Sequence, residues 1–262
     1  MSAELDVARR VAVDAGKILL RHFGKITSVE MKAWADPVTA ADRESEAFIR
    51  SEIIGAFPND GIVGEEEADL IGMSGRNWLV DPLDGTVNFA GGLPIWAVCI
   101  SLLDAVGQPL LNVTHDPLRG ETFESERGNG AWLNGSPMRV STLSDLSQAL
   151  IQTSIPSVSR FRDPSLAVFA QLSKVAPHVR NIGSSALAQA YVASGRMHAH
   201  IRLRVGAYDI VGGNLMIQEA GGITTDIDGR PFSDGSHGLL ATTPAYHSKL
   251  LALNLQAHFP ST

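Results

Sequence analysis

One cysteine in 262 residues excludes an internal disulfide. Cys99 lies in the apolar run Trp96-Ala97-Val98-Cys99-Ile100, where a buried, inert thiol is expected. No apolar run approaches the ~20 residues of a membrane-spanning helix. The opening residues, Met1-Ser2-Ala3-Glu4-Leu5-Asp6, lack the basic-then-apolar order of a secretory signal. No dense Lys/Arg run occurs, and the formal net charge is −7, which speaks against a nucleic-acid footprint. Neither an internal repeat nor a low-complexity segment interrupts the chain. What is there, 44% hydrophobic and 19% charged residues, is the profile of a folded soluble protein long enough for two packed halves. A reducing cytoplasm is the expected compartment.

Leu5, Ala8, Val11, Ala12, Ala15, Ile18, Leu19 and Phe23 recur at three- and four-residue spacing and predict an amphipathic helix ended by Gly24. A segment at 28–32 and a short loop at 33–37 precede a second helix starting near Thr39, with Ala47, Phe48 and Ile54 on its expected inner face. Thr39-Ala40-Ala41-Asp42 has the form of a capping box. Gly61-Ile62-Val63-Gly64-Glu65 reads as a strand ending in acid. Between Ile95 and Leu133 short β segments are broken by glycine-bearing turns, and Asn134-Gly135 is a hairpin signal. After about Val140 strand and helix alternate. Strands are expected at 149–153, 197–201, 222–225 and 239–241, and helices at 166–176, 184–194, 208–220 and from about 245. Residues 154–164 read as a surface loop. The expected architecture is an α+β or α/β layered sandwich. Residues 1–140 form an antiparallel sheet with two helices, and residues 141–262 a second, smaller α/β half.

The most informative stretch is Trp78-Leu79-Val80-Asp81-Pro82-Leu83-Asp84-Gly85-Thr86-Val87-Asn88-Phe89. Its apolar start predicts a buried strand ending at Asp81 in a turn forced by Pro82 and Gly85. Asp81 and Asp84, three apart across a proline, have the spacing to bring two carboxylates and the Leu83 carbonyl toward one point. Two such carboxylates repel unless a cation lies there, and hard divalent cations take oxygen ligands, so Mg²⁺ fits, with water and phosphate completing its shell. If a helical turn starts at Thr86, Gly85 and Thr86 offer backbone N–H groups to an anion beside it. Each acid also has a plainer reading. Asp-Pro and Asp-Gly are ordinary turn dipeptides, and Asp42 is a helix cap. Glu65 belongs to a charge run, Glu65-Glu66-Glu67, and Asp209 complements a helix dipole.

The string from Asp81 to Phe89 resembles the signature of the inositol monophosphatase family, Mg²⁺-dependent, lithium-sensitive phosphomonoesterases. The other acids follow the family order: Asp42 after Val38-Thr39-Ala40-Ala41, then Gly64-Glu65-Glu66, then Tyr208-Asp209 ahead of Gly212-Gly213 and Glu219-Ala220-Gly221-Gly222. This resemblance runs from Lys32 to the C-terminal helix. It implies an αβαβα sandwich of sugar-phosphatase type, a homodimer, and two or three Mg²⁺ ions. Residue by residue, it implies that Glu65, Asp81 and the Leu83 carbonyl hold one ion. A second would lie between Asp81, Asp84 and Asp209, with phosphate bridging the two. Thr86, oriented by Asp42, would position and help deprotonate the attacking water. Asp42, Thr86 and Glu65 are then the catalytic set, and Gly85 with Thr86 binds phosphate. In-line phosphoryl transfer asks for such an arrangement, a polarised water and charge stabilisation at the leaving oxygen.

Departures from the family bear on substrate choice. The second box usually carries Trp before the Asp and two alanines after it, whereas this chain reads Ala207-Tyr208-Asp209-Ile210-Val211-Gly212-Gly213. Tyr208 still supplies a flat surface. Arg202, seven residues before Asp209, stands where inositol-hydrolysing members tend to carry a glutamate. An arginine there favours a carboxylate or a second phosphate, or is a surface residue. Arg180 and Arg204 could join the same wall. Asn181, Ser184 and Ser185 resemble the family's substrate-facing turn before a helix. His198 and His200 alternate on a strand, a conceivable zinc pair without a third ligand, and structural histidines are commoner. The expected partner is a small phosphorylated substrate, with neither a nucleic-acid polymer nor a membrane. Expected chemistry is hydrolysis of a small sugar or polyol phosphate. The alternatives are a histidinol-phosphate phosphatase, a fructose-1,6-bisphosphatase, a 3′-phosphoadenosine-type nucleotidase and, outside enzymes, a catalytically silent binding module of the same fold.

Overall fold

The computed structural model describes residues 1–25, 30–33, 36–156, 159–203, 207–232, 236 and 238–258. The first helix, α1 (Ala3–His22), follows the apolar spacing. Ser2 caps it by accepting from the Leu5 N–H at 3.2 Å, and Leu5, Ala8, Val11, Ala12, Ala15, Ile18 and Leu19 are buried. Gly24 takes a φ of +75° just beyond its end. β1 (Glu30–Ala33) and β2 (Asp36–Val38) pair as a small antiparallel ribbon, so the loop expected at 33–37 is partly strand. Residues 28–29 and 34–35 of those two expected segments lie outside the described residues.

α2 (Ala40–Ala56) begins at the capping box, with the Thr39 N–H donating to Asp42 at 2.9 Å. Its inner face differs from the expectation. Ala47 and Ile54 are exposed and Phe48 is half-buried, whereas Ala41, Asp42, Ser45, Glu46, Ile49 and Ile53 are buried. Apolar periodicity misplaced the face because the inward stripe carries three polar side chains, and each of them finds a partner inside the protein.

β3 (Gly61–Gly64), β4 (Asn77–Asp84), β5 (Ala97–Leu103), β6 (Pro109–Asp116), β7 (Glu121–Glu126), β8 (Gly130–Leu133) and β9 (Ser136–Pro137) make a seven-stranded sheet in sequence order. Its pairs are antiparallel except β3 with β4, which run parallel. Asn134 and Gly135, at φ of +48° and +77°, form the two-residue turn between β8 and β9. α3 (Thr86–Ala90) lies between β4 and β5. β4 does not end at Asp81. Asp81 pairs with Cys99 and Asp84 with Ala97, a step of three residues on β4 against two on β5. Such a bulge suits Pro82, which has no N–H to give to the ladder. Side chains on β5 alternate: Val98, Ile100 and Leu102 join the core beneath α1 and α2, and Ala97 and Cys99 meet Ala186 and Leu187 on the opposite face.

The second half holds β10 (Leu150–Thr153), α4 (Ser159–Val175), β11 (His178–Arg180), α5 (Ser185–Ala193), β12 (Ala199–Arg202), α6 (Ala207–Glu219), β13 (Ile223–Thr225), β14 (Leu239–Thr242) and α7 (Pro244–Leu251). Its five-stranded sheet runs β11-β10-β12-β14-β13, parallel where β10 meets β11 and β12 and antiparallel elsewhere. α4 starts at Ser159 and carries Pro164 inside it, so part of the expected loop at 154–164 is helix. A proline normally breaks a helix interior, which is why the pattern placed the start later. The layers run α1 and α2, large sheet, α5 and α6, small sheet, α4 and α7. α6 sits tightly between its neighbours: a Cβ on Gly212 would lie 2.0 Å from Ser101 Oγ, and one on Gly213 would lie 2.3 Å from Gln189 Oε1. Among the described residues no helix is long and apolar enough to cross a membrane.

Candidate active site

The ends of β3 and β4 and the starts of α2 and α3 supply the first group of functional side chains. Asp42, buried at the first turn of α2, is held through Oδ2 by the Thr39 N–H at 2.9 Å and the Thr39 hydroxyl at 2.5 Å. Its other oxygen, Oδ1, lies 3.3 Å from Thr86 Oγ1, which is also 3.1 Å from the Leu83 carbonyl. Asp42 is therefore a helix cap and a partner of Thr86 at once. Ser45 donates to the Pro82 carbonyl at 3.2 Å and ties α2 to the bulge. Asp81, also buried, accepts from the Leu83 N–H at 3.0 Å and so shapes the turn that carries the Leu83 carbonyl. Gly64 pairs with Val80 in the parallel β3–β4 register, which sets Glu65 next to Asp81 at the same ends of adjacent strands. The Glu65 side chain is exposed. Gly85, at φ +94°, caps α3 without a side chain, and a Cβ there would come within 2.9 Å of the Ile95 carbonyl.

Asp84 faces the second half of the chain. The Ser184 hydroxyl and the Ala186 N–H, the latter at 3.1 Å, donate to Oδ2, and the Ser185 N–H donates to Oδ1 at 3.2 Å. A carboxylate at the N-terminus of α5 also meets the positive end of the helix dipole. Ser184 is the N-cap of α5, accepting from the Leu187 N–H at 3.2 Å. Arg202, half-buried, donates to Ser185 Oγ at 2.6 Å, which places it at the edge of the same corner. Arg180 and Asn181 are exposed. Tyr208 and Asp209 fall in the first turn of α6, and their side chains, like Arg204, lie outside the described residues.

The two histidines stand apart from this corner. β12 begins at Ala199, so His198 precedes the strand. Its Nδ1 accepts from the Leu150 N–H at 3.0 Å, and its ring meets Tyr246 edge-on. His200 is fully buried, and neither ring nitrogen has a hydrogen-bond partner among the described residues. Burial, helped by the nearby Arg202 charge, pushes its pKa down to about 3, so it is neutral.

The residues that could hold a metal are Glu65, Asp81, Asp84 and the Leu83 carbonyl, with Asp209 following at the start of α6. Every donor is oxygen, which fits a hard divalent cation rather than a soft one. Among the described residues no three His, Cys, Asp or Glu side chains already converge on one point. Three contributors escaped the sequence reading. Glu46 accepts from the Glu66 and Glu67 N–H groups, Ser45 holds Pro82, and Asn88 donates at 2.8 Å to the carbonyls of both Ile95 and Ile182. Asn88 alone had a signal, its place inside the Asp81–Phe89 string.

Fold and corner together define a class: a layered αβαβα protein with oxygen donors gathered at strand ends and helix starts. Comparison with known proteins narrows it. The chain belongs to the inositol monophosphatase family, whose model matches residues 1–258. Inositol-1-monophosphatase from Rhizobium meliloti is 38% identical, over 90% of this chain and 90% of its own. A fructose-1,6-bisphosphatase/inositol-1-monophosphatase from Thermotoga maritima is 32% identical over 94% of each. The solved structure of extragenic suppressor protein suhB from Bartonella henselae superposes with a TM-score of 0.92 at 33% identity, covering 96% of this chain and 98% of that one. Members of the family are phosphoric monoester hydrolases and are generally metal-dependent.

Proposed function

We propose that this chain hydrolyses a small polyol or sugar phosphomonoester with water, using two or three Mg²⁺ ions as cofactor. The observation that carries the reading is the place of the Thr86 hydroxyl, 3.3 Å from the Asp42 carboxylate and 3.1 Å from the Leu83 carbonyl. A hydroxyl has one proton, so in giving it to Asp42 it turns its lone pairs toward a water on the open side. Asp42 remains an acceptor because Thr39 already satisfies its second oxygen. Thr86 then receives a proton from the water as it passes its own to Asp42, which is general-base assistance through one intermediary.

Glu65, Asp81 and the Leu83 carbonyl would hold one ion, and Asp81, Asp84 and Asp209 a second. Ions bound there supply Lewis-acid polarisation of the phosphoryl oxygens and lower the pKa of water. The backbone N–H groups at Gly85 and Thr86 meet the phosphate oxygens. Asn181, Ser184, Arg202 and Tyr208 would contribute to substrate recognition. Arg202, fixed on Ser185, favours a substrate with an anionic group besides the phosphate that is cleaved. By likeness to the family, the reading extends to a lithium-sensitive cytoplasmic homodimer.

The test is phosphate release, with and without Mg²⁺, from inositol 1-phosphate, fructose 1,6-bisphosphate, histidinol phosphate and 3′-phosphoadenosine 5′-phosphate. Expected is Mg²⁺-dependent release with one sugar or polyol phosphate ahead in kcat/KM. A hundredfold lead, about 2.7 kcal/mol of transition-state discrimination, names the substrate class. If none is hydrolysed with Mg²⁺ present, the proposal fails and a silent binding module takes its place.

A further inference from the structure

α2 presents one buried face to three parts of the site. Asp42, Ser45 and Glu46 share that face by their spacing. They reach the Thr86 hydroxyl, the Pro82 carbonyl and the turn after β3 respectively. Glu46 is fully buried, and a buried carboxylate is costly unless hydrogen bonds meet its charge. Its Oε2 accepts from the Glu66 N–H at 2.8 Å, and its Oε1 accepts from the Glu67 N–H at 3.1 Å and from Arg50 Nη1 at 3.3 Å. Arg50 Nη2 continues to the Ala68 carbonyl at 2.7 Å. A Cβ on Gly64 would stand 2.1 Å from Glu46 Oε1, so the glycine lets the end of β3 pass over the carboxylate without displacing it. Residues 64–68 are thus wrapped round one anion. α2 does not need that anion to fold, since it has its own cap at Thr39 and its apolar anchors Ile49 and Ile53.

We propose that Glu46 is a positioning residue for Glu65. Its hold on the Glu66 and Glu67 amides fixes where the Glu65 carboxylate stands relative to Asp81 and the Leu83 carbonyl, and so sets the affinity for the divalent cation. The proposal rests on the assignment of Glu65 and Asp81 as ligands made above.

The test is calorimetric titration of Mg²⁺ into the metal-free protein, beside kcat at saturating Mg²⁺, for wild type, Glu65→Gln, Glu46→Gln and Asp60→Asn. Glu46→Gln keeps the volume and one acceptor but sets an NH₂ group against an amide N–H. Its Mg²⁺ affinity should fall 10–100-fold, the usual range for losing a group that orients a ligand. Its kcat at saturating Mg²⁺ should fall by a smaller factor than its Mg²⁺ affinity, because Thr86, Asp42 and the remaining ligands stay in place. Asp60→Asn alters an equally buried carboxylate, held by Ser74, Arg76 and Trp78 at the far ends of β3 and β4. It should lower stability and leave Mg²⁺ affinity unchanged, which separates positioning from general loosening. Arg50→Gln weakens the same hold while leaving Glu46 in place. It should lower affinity by a smaller factor, and it carries the test if Glu46→Gln does not fold. Unchanged affinity in Glu46→Gln, or an equal loss in Asp60→Asn, overturns the proposal. Weak binding in Glu65→Gln with normal binding in Glu46→Gln removes the role of Glu46 alone. Normal binding in both variants removes the ligand assignment as well.

Discussion

Asp84 and Thr86 flank Gly85, yet they are held by different parts of the chain: Thr86 by Asp42 of α2, and Asp84 by the start of α5. Their substitutions should therefore separate. Thr86→Ala removes the hydroxyl that, in the proposed mechanism, links Asp42 to the attacking water. Its kcat should fall by roughly 10²–10⁴, the range for lost acid–base assistance, while calorimetric Mg²⁺ affinity holds; an unchanged kcat would reassign the water to another group. Asp84→Asn leaves an acceptor for α5 but turns an NH₂ toward its donors. Turnover should be abolished, and stability should drop by about 1–3 kcal/mol in urea unfolding, as expected when hydrogen bonds to a charge are lost. An active, equally stable protein would remove Asp84 from both roles. At this scale residue type and order single out the acids of the proposed site in the sequence, and the structure sets Asp42 beside Thr86 and Asp84 at the start of α5. Glu46 was not legible. One glutamate among the polar residues of a helix has no pattern of its own, and its meaning comes from Gly64 and two amides that the strand brings to it.

Elements were legible where hydrophobic periodicity and burial agree, as in α1, and misread where they part. The buried face of α2 is half polar, so counting apolar residues turned the helix toward Ala47 and Ile54. The turn chemistry at Asp81 and Pro82 was real, but the strand absorbs it as a bulge and resumes pairing at Asp84. The glycine pair Gly212-Gly213 finds its reason in the packed layers, because α6 lies against Ser101, Asn112 and Gln189. Gly212→Ala would press a methyl to within 2.0 Å of Ser101 Oγ and 2.2 Å of Asn112 Oδ1. It should destabilise by about 1–3 kcal/mol, the typical cost of overpacking. Gly55→Ala in α2, where a Cβ meets nothing within 4 Å, should instead stabilise by about 0.5–1 kcal/mol through helix propensity. Urea unfolding of the two variants checks the contrast, and equal effects would mean that α6 does not pack against the sheet as described.

Across the whole molecule the burial that makes the layers also sets how the protein meets acid. His115, His198, His200 and His247 all have pKa values below the ordinary histidine value, with burial the leading cause for each. Below about pH 6.5 the unfolded chain binds protons that the folded chain refuses, so stability rises with pH in that range. The contribution is fully present above about pH 6.5 and is lost as pH falls toward the folded value, about 3 for His200. Glu121, held below the ordinary carboxylate range by Arg196, and Glu126, where burial pushes up but hydrogen bonds from Ser2 and Asn129 outweigh it, add to the loss only under about pH 4.5. Above about pH 4.5 the histidines carry the loss on acidification, while Glu124, raised above the ordinary carboxylate value by burial, acts in the opposite direction. At pH 5, His200 alone should account for a loss on the order of 2 kcal/mol, or roughly 4–8 °C in Tm for a chain of this size. His200→Leu keeps an apolar filling, removes two buried nitrogens that have no partner among the described residues, and cannot titrate. Its Tm at pH 7.5 should match or exceed that of wild type, since no hydrogen bond among the described residues is broken. Its decline toward pH 5 should be shallower. Thermal melts of both proteins at pH 7.5, 6.5, 5.5 and 5.0 decide the matter, because parallel declines would place the acid-sensitive group elsewhere than at the centre of the small sheet.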